Sequence, residues 1–190
     1  MSSVMRFDEW QDSNGVPVLD ATGLAIPASA LPTGTILQVV STTKTDTFSS
    51  SVAGNGNVAV TGLAATITPT SASSKILVIT HVSGSLSVSN YGIGFLLFRG
   101  ATQIALGTGI GSRKPLTALD IGGTSGDGMS VPSMTHLDSP ATTTATTYSV
   151  NVYNYQTGTN TVHVNRTATD TDNGAFSRGV SSITVMEVAA

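Results

Sequence analysis

Residues 67–99 read ITPTSASSKILVITHVSGSLSVSNYGIGFLLFR. Two short apolar runs, Ile76 to Val82 and Ile93 to Phe98, are rich in β-branched and aromatic residues and are fenced by Pro, Ser, Asn and Gly. That composition and length predict strands rather than helix. The segment TPTSASS ahead of Lys75 is turn material, since Pro69 has no N–H for a ladder and the hydroxyls offer the backbone local hydrogen bonds. Leu86 and Val88 alternate with Ser85, Ser87 and Ser89, so the first strand is expected to continue, half-solvated, to Ser89-Asn90. The two strands are expected to form a hairpin at the centre of one sheet.

Outward from this pair the chain repeats the same kind of element. Strands are expected at Thr35–Ser41, Lys44–Ser51 and Val58–Thr68, with a turn over Ala53–Asn57 centred on Asn-Gly and a bulge at Gly62. Further strands are expected at Thr102–Leu106, Met129–Leu137, Thr146–Tyr155, Asn160–Asn165 and Ile183–Val188. Pro132 marks Met129–Leu137 as an edge or bulged strand. Residues 107–126 are glycine-rich and read as an exposed irregular loop. In Thr146–Tyr155, Tyr148, Val150 and Val152 share one face. Ile183–Val188 is apolar on both faces, a pattern that predicts burial against copies of the chain. No segment carries a helical period with caps. The expected fold is all-β: a jelly-roll-like antiparallel β-sandwich over residues 34–190, with an extended N-terminal arm over residues 1–33.

Composition narrows function by exclusion. The chain has 190 residues, 39% hydrophobic, enough for one sandwich domain and an arm. Only 10% are charged, against about 25% in ordinary soluble domains, while Ser and Thr make up roughly a quarter of the chain. A net charge of −3 with eight scattered basic residues gives no electrostatic footprint for nucleic acid. There is no cysteine, hence no disulfide or thiolate metal site, and no apolar run approaches a membrane span. The start, MSSVMRFDEWQDSNG, lacks the apolar core of a secretion signal.

Candidate chemistry is sparse. Gly107-Thr-Gly-Ile-Gly111 has the look of a phosphate-cradling loop, but Pro115 follows and no helix does, which favours a plain loop. Asp170 and Asp172 share an Asp-x-Asp-x-Gly turn without the distal Glu of a calcium loop. His81, His136 and His163 have no zinc spacing. Asp120, Asp127 and Asp138 are the plausible carboxylates for glycoside chemistry, and Tyr91, Tyr148, Tyr153 and Tyr155 the aromatics for stacking sugar rings. Neither a catalytic set, a cofactor nor a metal site is assigned. The arm is more informative. Val4, Phe7, Trp10, Val16, Val18, Leu19, Leu24 and Ile26 are many apolar residues for a tail that touches nothing. Trp10, with Phe7, Val16, Val18 and Leu19 beside it and Arg6, Asp8 and Glu9 at a polar rim, is expected to dock on a partner.

The ordered segments MRFDEWQDSNG, GTILQVVSTTKTDTF, ITPTSASSKILVIT, FLLFRGATQIALG, LDSPATTTATTYSV and SRGVSSITVMEVAA span Arg6 to Ala190. This series resembles short virion structural proteins of tailed bacteriophages, with residues 107–128 the part least like them. The resemblance implies a non-enzymatic β-sandwich, a homotrimer, mounted on the virion by its N-terminal segment and assembled in the host cytoplasm. Its partners would be further copies of itself and other virion proteins, such as the major capsid protein or tail components, with no nucleic acid and no membrane. Without a coiled-coil or collagen-like shaft, the chain is expected to be a capsid cement or decoration protein that clamps neighbouring capsid subunits. The alternative is a tail-fibre tip that recognises host polysaccharide.

Overall fold

The computed structural model describes residues 9–11, 17–20, 31–88, 92–120 and 128–190. Among these there is no helix; the ordered elements are strands. Two belong to the N-terminal arm, β1 (Glu9–Gln11) and β2 (Pro17–Asp20). They pair antiparallel, with Glu9 opposite Asp20 and Trp10 opposite Leu19, and form a two-stranded sheet of their own. Composition gave no hint of this local structure.

The remaining strands are β3 (Ile36–Lys44), β4 (Phe48–Val52), β5 (Asn57–Ile67), β6 (Lys75–His81), β7 (Gly84–Leu86) and β8 (Ile93–Arg99). They continue as β9 (Thr102–Ile104), β10 (Ala118–Asp120), β11 (Ser133–Asp138), β12 (Thr146–Asn154), β13 (Asn160–Val164) and β14 (Ser181–Val188). One sheet runs β10-β8-β12-β5, with β9 also on β8; a second runs β11-β6-β14-β3; a third, shorter one runs β4-β13-β7. Every pairing is antiparallel. The third sheet prolongs the second, because β3 leads into β4 and β6 into β7, while β13 lies between β4 and β7 as β14 lies between β3 and β6.

Period-two alternation builds the core between these layers. Tyr148, Val150 and Val152 of β12, with Phe95 and Leu97 of β8, are almost wholly buried and meet Ile76 and Val78 of β6 and Ile183 and Val185 of β14. Val52, Leu86, Val162 and Val164 extend the same cluster under the third sheet. Each such side chain contributes about 1.5–3 kcal/mol by leaving water. Several local expectations hold. The turn after β4 has Asn55 at φ 58° and a Gly56 N–H donated to the Ala53 carbonyl at 2.9 Å. Gly54 is required there because a Cβ would overlap the Thr157 carbonyl. Gly62 has φ 81°, and the β5–β12 register jumps around it, from Ala64 opposite Ser149 to Ala59 opposite Asn151. Strand β11 starts directly after Pro132 and is an edge.

The expected central hairpin does not form. Strand β6 pairs with β11 and β14, whereas β8 pairs with β9, β10 and β12 in the other layer. After His81 the chain passes through Val82-Ser83 into β7, which is buried on both sides rather than half-solvated. Strand order in an antiparallel sandwich is set by which partners bury each face, and two apolar runs adjacent in sequence serve that burial as well across the core as side by side. The glycine-rich stretch also departs from a plain loop. Ala118–Asp120 joins the sheet as β10, and Leu116 reaches over Gly94, where a Cβ would come within 3.0 Å of its Cδ1.

Candidate functional site

Three surfaces or clusters answer to the sequence expectations, and a fourth emerges from the sheet register. In the arm, Glu9 and Trp10 lie on β1 and Val18 and Leu19 on β2; Arg6, Phe7, Asp8 and Val16 lie outside the described residues.

Two of the carboxylates considered for catalysis or metal binding, Asp138 and Asp170, are engaged internally. Asp138, buried at the end of β11, accepts two hydrogen bonds from Arg99 Nη1 at 2.9 and 2.8 Å and one from the Tyr148 hydroxyl at 2.7 Å. Burial and then this bond to Asp138 push the Tyr148 phenol well above its ordinary pKa. Tyr148 is thus a core residue with a polar anchor rather than a sugar-stacking platform. Asp170 is clamped between Arg166 (3.3 Å) and Arg178 (2.7 Å). Among the described residues no three His, Asp or Glu side chains converge as metal ligands. His163 is buried with Nδ1 2.8 Å from Ser49 Oγ, and burial followed by the Arg166 charge lowers its pKa. Asp120 lies on β10, and Asp127 and Tyr91 lie outside the described residues.

Beside the glycine-rich segment an open depression of about 830 Å³ is lined by Ile110, Arg113, Lys114, Leu116, Leu119 and Tyr155, among others. Tyr155 is exposed there; Tyr153 is buried, and burial raises its pKa.

The fourth surface was not anticipated as a site. On the outer face of β11-β6-β14-β3, register aligns Leu137, Leu77, Met186 and Val39 in one row across all four strands. The next row is Thr135, Ile79, Thr184 and Ser41, and the one beyond is Ser133, His81, Ser182 and Thr43. On the other side of the aliphatic row lie Lys75, Val188 and Ile36. Val39 is 55% exposed, Leu137 47%, Ile36 45% and Ile79 37%. The outer face of the opposite layer differs. There Thr66 meets Thr147 with hydroxyls 2.8 Å apart, Asn151 donates to Asn57 at 2.7 Å, and the chain around Leu116 lies over β8. Among the described residues one layer is dressed in polar pairs, and the other presents an uncovered aliphatic belt. The signal was available in part: Ile76–Ile79 and Ile183–Val188 are apolar at both parities. What a single strand cannot disclose is which residues of three other strands fall beside it.

These features define an antiparallel all-β sandwich with a separate N-terminal hairpin. No protein-family model matches the chain, and no curated protein is significantly similar to it.

Proposed function

We propose that the protein is a non-enzymatic structural component of a tailed-bacteriophage virion, a trimeric cement or decoration protein that clamps neighbouring capsid subunits. The observation that carries this reading is the resemblance of six segments, in order from Arg6 to Ala190, to short phage virion proteins. The fold supports it in two respects. The β1–β2 hairpin has no ladder to the sandwich among the described residues, and an isolated two-stranded hairpin is marginal in water, so it gains stability by docking elsewhere. Asp138 and Asp170 are each held by arginine in ion pairs. Cementing needs many modest contacts multiplied by symmetry, which yields avidity without a single strong site. Particles lacking the protein are expected to assemble and adsorb to cells but to release DNA on heating or osmotic shock.

A second reading, a fibre tip that binds host polysaccharide, is favoured by the depression where Arg113, Lys114 and exposed Tyr155 come together. Particles of normal stability that no longer adsorb would decide for it.

The arm is the proposed grip. Removing residues 1–31 is expected to leave the sandwich folded, since its ladders begin at Ile36, and to abolish rebinding to particles stripped of the native protein. Trp10→Ala alone is expected to weaken attachment by about 2 kcal/mol. Circular dichroism checks the fold of both variants, and undiminished rebinding would transfer the attachment surface to the sandwich.

A further inference from the structure

The outer face of β11-β6-β14-β3 is, we infer, the surface on which this chain associates with copies of itself, its centre being the row Leu137–Leu77–Met186–Val39. The inference gives a location to the self-association in the reading above and does not depend on a virion role.

Soluble monomers seldom leave a contiguous aliphatic patch on a sheet face, and those that exist mark interaction sites. Four strands about 4.8 Å apart and four rows about 6.8 Å apart span roughly 500 Å² in projection. With the accessible relief of the side chains this approaches the ~800 Å² per partner of a stable interface. The face therefore provides the apolar centre of such an interface.

The chemistry of the face selects a second copy as the occupant. The rows flanking the aliphatic belt on one side are Ser and Thr with Ile79 and His81, and Ser41 and Thr184 are already hydrogen-bonded to each other at 2.8 Å. Lys75 and His81 stand only at opposite ends of β6. A partner chosen by charge would find little to read here, whereas a nearly uncharged face meets itself without like-charge repulsion. The aliphatic row also runs from edge to edge, with Val39 on one edge strand and Leu137 on the other. Symmetric assembly about an axis parallel to the strands turns one edge of a copy toward the opposite edge of its neighbour, which sets Val39 against Leu137 and leaves Leu77 and Met186 at the centre.

The test is light scattering on the full-length chain from 1 to 100 µM, with Leu77→Lys and Val39→Lys compared against Ile110→Lys, which alters a 64%-exposed aliphatic residue away from this face. Both Leu77 and Val39 point out of the core, so circular dichroism is expected to match the wild type. The expected result is an oligomeric wild type and Ile110→Lys, with both face variants dissociating at least about a hundredfold more readily. Face variants that stay assembled would overturn this surface while leaving self-association intact. A monomeric wild type would overturn both. If removing residues 1–31 from such a monomer newly exposed the face to an apolar dye, the occupant would be the arm.

Discussion

Asn165→Ala is expected to be among the most destabilising single substitutions in the chain, costing about 3–5 kcal/mol in a urea unfolding titration at fixed protein concentration. Asn165 is fully buried where the second and third sheets join, at φ 61°. Its side-chain amide donates to the carbonyls of Lys44 (2.8 Å) and Asp46 (3.0 Å), and its Oδ1 accepts from Ser181 Oγ at 2.6 Å. Its backbone N–H donates to the Ser83 carbonyl and its carbonyl accepts from Gly179 N–H. Ser181 Oγ in turn accepts from Ser83 N–H at 3.0 Å. The side chain ties the end of β13 to the ends of β3 and β14, and the backbone N–H adds the segment that follows β6. Alanine would leave the Lys44 carbonyl and the Ser181 hydroxyl without this partner in the interior and place a Cβ-bearing residue without local compensation in the left-handed region. Asn165→Gly removes the second of these penalties and is expected to recover about 1 kcal/mol. Equal losses in the two variants would show that backbone conformation carries none of the cost; a loss below about 1 kcal/mol in both would remove the junction from the account of stability.

Glu187→Gln is expected to cost about 2–3 kcal/mol at neutral pH and much less in acid. Glu187 lies on the inward face of β14 with no exposed surface. Oε1 accepts from both the backbone N–H and the hydroxyl of Thr70, each at 2.7 Å, and Oε2 accepts from Gln38 Nε2 at 2.6 Å. No ion pair to it is found among the described residues. Burial by itself raises the pKa of this carboxyl, but the hydrogen bonds from Gln38, Thr70 and Ser74 outweigh it and hold the pKa below the ordinary 4.5. A depressed folded-state pKa means the unfolded chain binds the proton first as pH falls. The stabilisation is therefore complete above pH 4.5 and is lost as pH drops through the lower folded value. Glutamine must turn an NH2 toward the donors of Thr70 or Gln38, and it does not titrate. The gap between wild type and variant should narrow between pH 7 and pH 3.5. A gap that stays constant would mean that the carboxylate charge is not what pins residues 68–74 to β14.

The sequence alone was sufficient for whatever depends on neighbours along the chain. Alternation at Tyr148, Val150 and Val152 reports one buried face, Pro132 reports an edge, and Gly62 and Asn55-Gly56 report a bulge and a turn, because each is a property of a few consecutive dihedrals and side-chain directions. Strand pairing was beyond it. Nothing local distinguishes β6 and β8 as partners in a hairpin from β6 and β8 in opposite layers, since both arrangements bury the same apolar faces. Glu187 alternates in phase with Ile183 and Val185 and so falls inside, yet the groups that make its burial tolerable come from Gln38 and Thr70, more than a hundred residues away. Asn165 reads as the last residue of the expected strand Asn160–Asn165, with nothing to mark that its amide holds β3. The aliphatic row on the outer sheet is the clearest case. Val39, Leu77, Leu137 and Met186 are four scattered residues in sequence, and only the register of three ladders makes them one surface, because a shift of a single residue in any strand would turn its member of the row into the core.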